Sequence, residues 1–188
     1  MKHAVAVILG FAGFALGCGD PFKLGPATIT NTIDTLALFS VNGTALNKPS
    51  AYNLSVKSAV LLGIDATSTF DFLYYRDPVK GDVFLPLAAV NKNLASATGQ
   101  AGFLRATETF DNIKVAQQVG YSSTDTVKIA VGDVLYVHSS NAICVLGIPY
   151  YAKLQILSID AVERSVVFKI LINTNCGYRG LEQGLPGT

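Results

Sequence analysis

AKLQILSI (Ala152–Ile159) and SVVFKILIN (Ser165–Asn173), separated by Asp160-Ala161-Val162-Glu163-Arg164, decide the fold class of this chain. Both runs are short and dense in aliphatic and β-branched residues, and polar residues interrupt them at strand-like intervals. The polar connection suits a hairpin. On that hairpin Lys153, Gln155, Ser158, Lys169 and Asn173 are expected at solvated positions.

The same pattern extends upstream. Ala27–Ile33 and Thr35–Val41 read as strands leading into Asn42-Gly43, a dipeptide suited to a tight hairpin turn. Tyr52–Val56 and Ala59–Ile64 follow. Thr69–Tyr75 (TFDFLYY) alternates, with Phe70, Phe72 and Tyr74 on one face and Asp71, Leu73 and Tyr75 on the other. Asp77–Asp82 is turn chemistry before Val83–Leu87, and Val90–Gly102 is a small-residue loop. Phe103–Ala106, Asn112–Ala116, Lys128–Val131, Val134–Ser139 and Ile143–Leu146 are further candidate strands, while Thr107–Val119 reads equally as a short helix. The 17 glycines and the scarcity of helical periodicity point to an all-β fold, an antiparallel β-sandwich or barrel-like domain over 27–174. An apolar signal or anchor over 1–18, a linker over 19–26 and an extended C-terminal tail over 175–188 flank it.

Composition narrows the function. The 188 residues are 50% hydrophobic and only 14% charged, with a net charge of +1 and a mean hydropathy of +0.40. A chain without a basic field is a poor nucleic-acid ligand, and one this apolar is not disordered. Little charge is left to keep a free-standing surface soluble, which suggests a surface covered by a partner.

The opening MKHAVAVILGFAGFALGC is apolar from Ala4 to Gly17. As a helix that run spans about 21 Å, short of the roughly 30 Å hydrocarbon layer, and it reads as an export signal. Ala15-Leu16-Gly17-Cys18 resembles the bacterial lipoprotein signal, in which Cys18 is the lipid-attachment residue, although Ala15 stands where Leu is usual. An ordinary cleaved signal and a retained anchor ended at Asp20-Pro21 are the other readings. All three place the domain on the periplasmic side of the membrane.

If Cys18 carries lipid, Cys144 and Cys176 remain as an even pair, and a disulfide between them is expected in an oxidising compartment. Two unpaired thiols are the alternative. No CxxC, HxxxH or CxxCH spacing occurs, so no metal site and no cofactor are expected.

Catalytic readings are weak. His138 is the single histidine of the exported part, and its neighbours Ser139 and Ser140 follow it on a strand, where adjacent side chains diverge. Asp71, Asp77, Asp82, Glu108 and Asp111 are the carboxylates available for acid–base pairing, and most fall in apparent turns. No phosphate-cradling glycine loop or GxSxG elbow is present, and an enzyme is not expected. The pairs Tyr74-Tyr75 and Tyr150-Tyr151 each place one ring inward and one outward, for core packing or for contact with a ligand or partner. In the glycine-rich tail, Tyr178, Arg179, Leu181 and Leu185 form a candidate partner interface; a strap packed on the chain's own domain is the competing reading.

Cys18-Gly19-Asp20-Pro21, NTIDTLALFSVNGTALNKPSAY (Asn31–Tyr52), the TFDF strand and AKLQILSIDAVERSVVFKILINTNCGYRGLEQGLP (Ala152–Pro186) together resemble a group of bacterial envelope lipoproteins without assigned chemistry. The resemblance covers most of the exported chain and is tightest from Ala152 to Pro186. The chain also looks like a membrane-extrinsic accessory subunit of a bacterial photosynthetic reaction centre–light-harvesting complex. That likeness implies a structural role without catalytic residues, with reaction-centre and light-harvesting subunits as the partner membrane protein complex. Attachment to the membrane would run through the lipid or the N-terminal segment. The alternative expectation is a periplasmic module binding carbohydrate or a lipophilic molecule in a pocket lined by Tyr74, Tyr75, Tyr150 or Tyr151.

Overall fold

Ten strands form two antiparallel sheets in the computed structural model, which describes residues 24–62, 69–140, 144 and 147–186. Cys18, the 1–18 segment, most of the linker and most of Ile143–Leu146 lie outside the described residues. The strands are β1 (Ile33–Phe39), β2 (Ala51–Asn53), β3 (Ser58–Val60), β4 (Phe72–Asp77), β5 (Gly81–Pro86), β6 (Gly102–Arg105), β7 (Val127–Lys128), β8 (Val134–His138), β9 (Tyr151–Asp160) and β10 (Ser165–Asn173). One sheet runs β1-β10-β9-β8-β6 and the other β3-β2-β4-β5-β7. Among the described residues helix is confined to α1 (Leu87–Val90) and a 3-10 turn at Lys92–Leu94.

The β9–β10 hairpin forms where the sequence places it, with Ser165 opposite Asp160 and a register shift between Val167 and Phe168. Its turn is closed by Asp160, whose Oδ1 accepts from the backbone N–H groups of Val162 and Glu163 at 2.8 and 2.9 Å. Asp77 does the same for Val79 and Lys80 in the β4–β5 turn, at 2.8 Å each. Aspartate is used here for the local backbone bonding that turns need.

Three expectations fail for reasons of long-range pairing. Asn42-Gly43 does not join two paired strands, because β1 pairs with β10 while β2 pairs with β3 and β4. The loop after β1 instead crosses between sheets: Ser40 N–H donates to Arg164 O at 2.9 Å, and Val41 N–H to Tyr74 O at 3.2 Å. Of Ala27–Asn31, only Asn31 is bridged, to Gly184. Neither a strand at Asn112–Ala116 nor a helix over Thr107–Val119 forms; that segment is irregular, with an isolated bridge from Val115 to Gly180.

The core between the sheets is aromatic. Phe72 sits 5.0–6.2 Å from the rings of Tyr52, Phe84, Phe103 and Phe168, which come from both sheets. Leu38, Leu135, Leu154, Ile156 and Ile170 fill the space around them and are fully buried.

A second, smaller core lies on the outer face of β8-β9-β10, where Phe110, Ile113, Ala116 and Leu181 pack against Val134, Tyr136, Tyr151 and Leu171. This extra layer corrects two expected solvated positions: Lys153 is 4% exposed and Asn173 is fully buried. Gln155 and Lys169 are half-buried, and Ser158 is exposed. Lys153 Nζ donates to Phe110 O and Ile113 O, both at 2.8 Å, and lies 4.5 Å from the Phe110 ring centre.

Burial pushes the Lys153 pKa down to about 8, with smaller contributions from Lys114 and Lys169, opposed by Asp111 and Glu182. The unfolded chain therefore holds this proton to higher pH than the folded one, so stability rises between about pH 8 and pH 10. A neutral amine still has two protons for two carbonyls, which is why deprotonation is tolerated. Urea unfolding should show a gain on the order of 2 kcal/mol across that window, and Lys153→Met should remove the gain. A flat profile in the native chain would contradict this assignment.

Candidate functional site

The side chains weighed as candidate site residues lie mainly toward the two ends of the sandwich. At one end, here the tail end, β10 finishes, β9 begins and the chain enters β1. Cys144 and Cys176 are disulfide-bonded there, with their Cα atoms 5.6 Å apart. Three asparagines sew residues 28–31 to residues 173–182. Asn175 Oδ1 accepts from Thr28 and Ile29 N–H at 2.9 Å each, and its Nδ2 donates to Ile29 O at 2.7 Å and Asn173 Oδ1 at 2.9 Å. Asn173 Nδ2 donates to Gly180 O at 2.9 Å, and Asn31 Nδ2 to Gly180 O and Glu182 O at 3.1 and 3.0 Å. No local signal in the sequence marks these asparagines, since Asn31 falls in a candidate strand, Asn173 reads as a solvated strand position and Asn175 as part of an extended tail.

The tail over 174–186 thus lies on its own domain. Leu181 is fully buried and Tyr178 is 5% exposed, its hydroxyl donating to Gly25 O. Arg179 Nη1 donates to Ala116 O at 3.1 Å, and Ala116 N–H to Arg179 O at 2.8 Å. Of the four residues expected to form a partner interface, Leu185 is the one that stands mostly exposed, at 63%.

A cleft of about 430 Å³ opens where β8 ends and β9 begins, lined among others by His138, Tyr151, Gln100, Gln118 and Thr98. His138 Nδ1 lies 2.8 Å from Ser139 O, an atom that only accepts, so Nδ1 carries the ring proton and Nε2 holds a lone pair. Burial pushes the His138 pKa down, which keeps the ring neutral. Tyr121 packs edge-on against it at 4.4 Å between ring centres. Ser139 is not its partner in catalysis: the hydroxyl is buried, donates to Ser140 O at 3.0 Å and accepts from Tyr150 N–H at 2.9 Å.

The carboxylates are scattered through the fold and serve it. Asp71 is buried and accepts from Leu54 N–H at 2.6 Å and Ser140 N–H at 3.3 Å; burial raises its pKa against those two bonds. Asp82 accepts from the Tyr74 hydroxyl at 2.5 Å and pairs with Arg76 at 3.3 Å. Asp77 closes its turn, Glu108 bonds Thr107, and Asp111 lies 4.0 Å from Lys169. Tyr74 is buried between the sheets, Tyr151 is buried on the outer face under the second core, and Tyr75 and Tyr150 are half-buried. Among the described residues no group of three or more metal-ligating side chains converges, and no helix is long and apolar enough to cross a membrane.

The opposite end, here the turn end, is built from the loop 41–48 and the turns 78–80, 129–132 and 161–164. Each carries an exposed aliphatic side chain: Val41 and Leu46, Val79 at 91%, Val131, and Val162 at 89%. Polar bonds hold these loops side by side. Lys48 pairs with Glu163 at 3.2 Å, and Arg164 Nε donates to Asn42 O at 2.8 Å. Asn42 Nδ2 reaches Arg76 O at 3.3 Å, and Ile129 N–H reaches Asp82 O at 2.9 Å. The tips are apolar while much of their polar backbone is already satisfied internally, so covering them with a partner requires little desolvation of unpaired groups. Compared with the models of known protein families and with curated protein sequences, the chain matches none.

Proposed function

We propose that the chain is a non-enzymatic domain of the periplasmic side, tethered to the membrane by its N-terminal segment, that binds and braces a membrane protein complex. The observation that carries this reading is the turn end, where Leu46, Val79, Val131 and Val162 project from adjoining loops of a protein with only 14% charged residues. Isolated surface aliphatics are ordinary; several on adjoining turn tips favour a covered surface. The Cys144–Cys176 disulfide supports an oxidising compartment. Leu24, where the described chain begins, packs beside Gly177 at the tail end. A tether there leaves the turn end about 30 Å away, the length of the ten-residue β9. Tethering converts docking into an event at high effective concentration, so a modest apolar contact suffices. The likeness of the chain to a membrane-extrinsic accessory subunit makes a reaction centre–light-harvesting assembly the specific partner in this proposal.

Val79→Lys combined with Val162→Lys tests it, since both side chains are almost fully exposed and bury little surface in the fold. The full-length native protein should co-migrate with the pigment–protein complex on a detergent density gradient, read by near-infrared absorbance. The double variant should keep its melting temperature and run free of the complex. Unchanged co-migration of the variant would count against the turn end as the docking surface.

A second reading, a module binding carbohydrate, is favoured by one observation. In the cleft beside His138, the ring Nε2 and the side-chain amides of Gln100 and Gln118 make no hydrogen bond within the protein among the described residues. Uncharged donors and acceptors in a concave site suit hydroxyl groups.

A further inference from the structure

A sheet with an unprotected edge offers a row of backbone N–H and C=O groups to any extended chain. Three of the four edges here are short or covered. β3 has three residues and β7 two, while β6 is bridged by Ser122, with Phe103 N–H donating to Ser122 O at 3.0 Å and Ser122 N–H to Phe103 O at 2.8 Å. β1 differs. It has seven residues, IDTLALF, with no proline and no lysine and with Asp34 as its single charge.

The ladder fixes which of its groups face outward. Ser40 N–H donates inward to Arg164 O, so Asp34, Leu36 and Leu38 share its parity and bond β10. Phe39 N–H points the other way, donating to Pro49 O at 2.8 Å. Ile33, Thr35 and Ala37 therefore present their N–H and C=O groups away from the sheet, and among the described residues these groups have no partner.

The open stretch is bracketed. At one end Pro49 occupies the outward side of Phe39; at the other Asn31 exchanges hydrogen bonds with Gly184 at 2.7 and 3.0 Å. From Asn31 to Phe39 is about 26 Å at strand rise, so after allowing for the two flanking chains the gap accepts about five extended residues. A second copy of β1 does not fit. Antiparallel pairing centred on Thr35 would set Phe39 of one copy against Asn31 of the other, where Pro49 and Gly184 already fill the space, and a shifted register brings that collision inside the strand.

We propose that β1 is a docking edge for a short extended segment of a partner polypeptide, about five residues long, held by the backbone of Ile33, Thr35 and Ala37. The flanking chains make the partner strand enter and leave out of the sheet plane. Asp34, exposed and alone in charge on this strand, favours a cationic or hydroxyl side chain on the partner residue beside it. The site is independent of the apolar turn end and stands or falls separately.

Selection of phage-displayed random heptapeptides on the full-length protein in detergent, followed by residue-resolved amide exchange, tests it. Selected peptides should slow exchange at Ile33, Thr35 and Ala37, whose neighbours Asp34, Leu36 and Leu38 are protected beforehand. Thr35→Pro removes an outward N–H without removing a bond of the fold, and should weaken peptide binding about tenfold relative to Thr35→Val. If Thr35→Pro fails to fold, Ala37→Pro serves in its place. The proposal is overturned if no selected peptide protects these amides, or if the proline variant binds as tightly as the valine one. Concentration-dependent dimerisation that protects the same amides without peptide would equally overturn it.

Discussion

Phe72→Ala is expected to lower the stability of the domain by about 4 kcal/mol, at the severe end of aromatic truncations. Its ring is 1% exposed and has four aromatic neighbours: Tyr52 and Phe84 in its own sheet, Phe103 and Phe168 in the other. Collapse into the vacated space would require the two sheets to shift against one another, and the loop after β1, hydrogen-bonded to Arg164 beside one sheet and to Tyr74 in the other, resists that. Urea unfolding should show a lower midpoint with an unchanged slope. Phe72→Leu should recover more than half of the loss. A loss below about 1 kcal/mol for the alanine variant would mean that the sheets do not share a core at this residue.

The second large effect concerns the tail end. Replacing Cys144 and Cys176 together by serine should destabilise by about 3–4 kcal/mol, the chain-entropy value for a loop closed at a separation of 32 residues. The loss should be uneven. Asn31, Asn173 and Asn175 still bind the tail to β10 and to the incoming chain, so amide exchange should quicken first around 174–184 and 25–31. The β9–β10 hairpin should keep its protection. If a reductant leaves the unfolding midpoint unchanged, the disulfide is not a stabilising element of the domain.

These two sites also show what the sequence discloses. The β9–β10 hairpin is legible because both strands and the turn carry local signals: apolar alternation, β-branched residues and an aspartate at the turn's start. The inward face of Phe72 and Tyr74 is legible for the same reason, though Asp71 is buried as well, by backbone donors from Leu54 and Ser140 that are far away in sequence. The cysteine pair follows from an odd count and one cysteine set aside. What fails is non-local. Nothing near Asn42-Gly43 says that β1 pairs with β10 across more than a hundred residues. Lys153 and Asn173 look solvated because a strand alone cannot reveal a third layer; the irregular 106–121 segment and the tail build that layer over them. Leu181 belongs to that layer while Tyr178 is buried against the incoming chain at Gly25, and their residue types suit an interface and a core equally.

The turn end is legible only in retrospect. Val79 and Val162 each occupy a turn beside aspartate, lysine or glutamate, where a local reading assigns solvent to the whole segment. Their meaning depends on four loops standing side by side, which is a property of strand order.

The proposed bracing role is decided by purifying the native full-length protein in mild detergent and weighing the intact particle by mass spectrometry. It predicts a stoichiometric membrane protein complex, with the Cys144–Cys176 disulfide oxidised and cross-links from Lys48 and Lys80, beside the apolar turn tips, to an extramembrane segment of that complex. A monomeric protein recovered without membrane-protein companions, or one whose cross-links avoid the turn end, would contradict it.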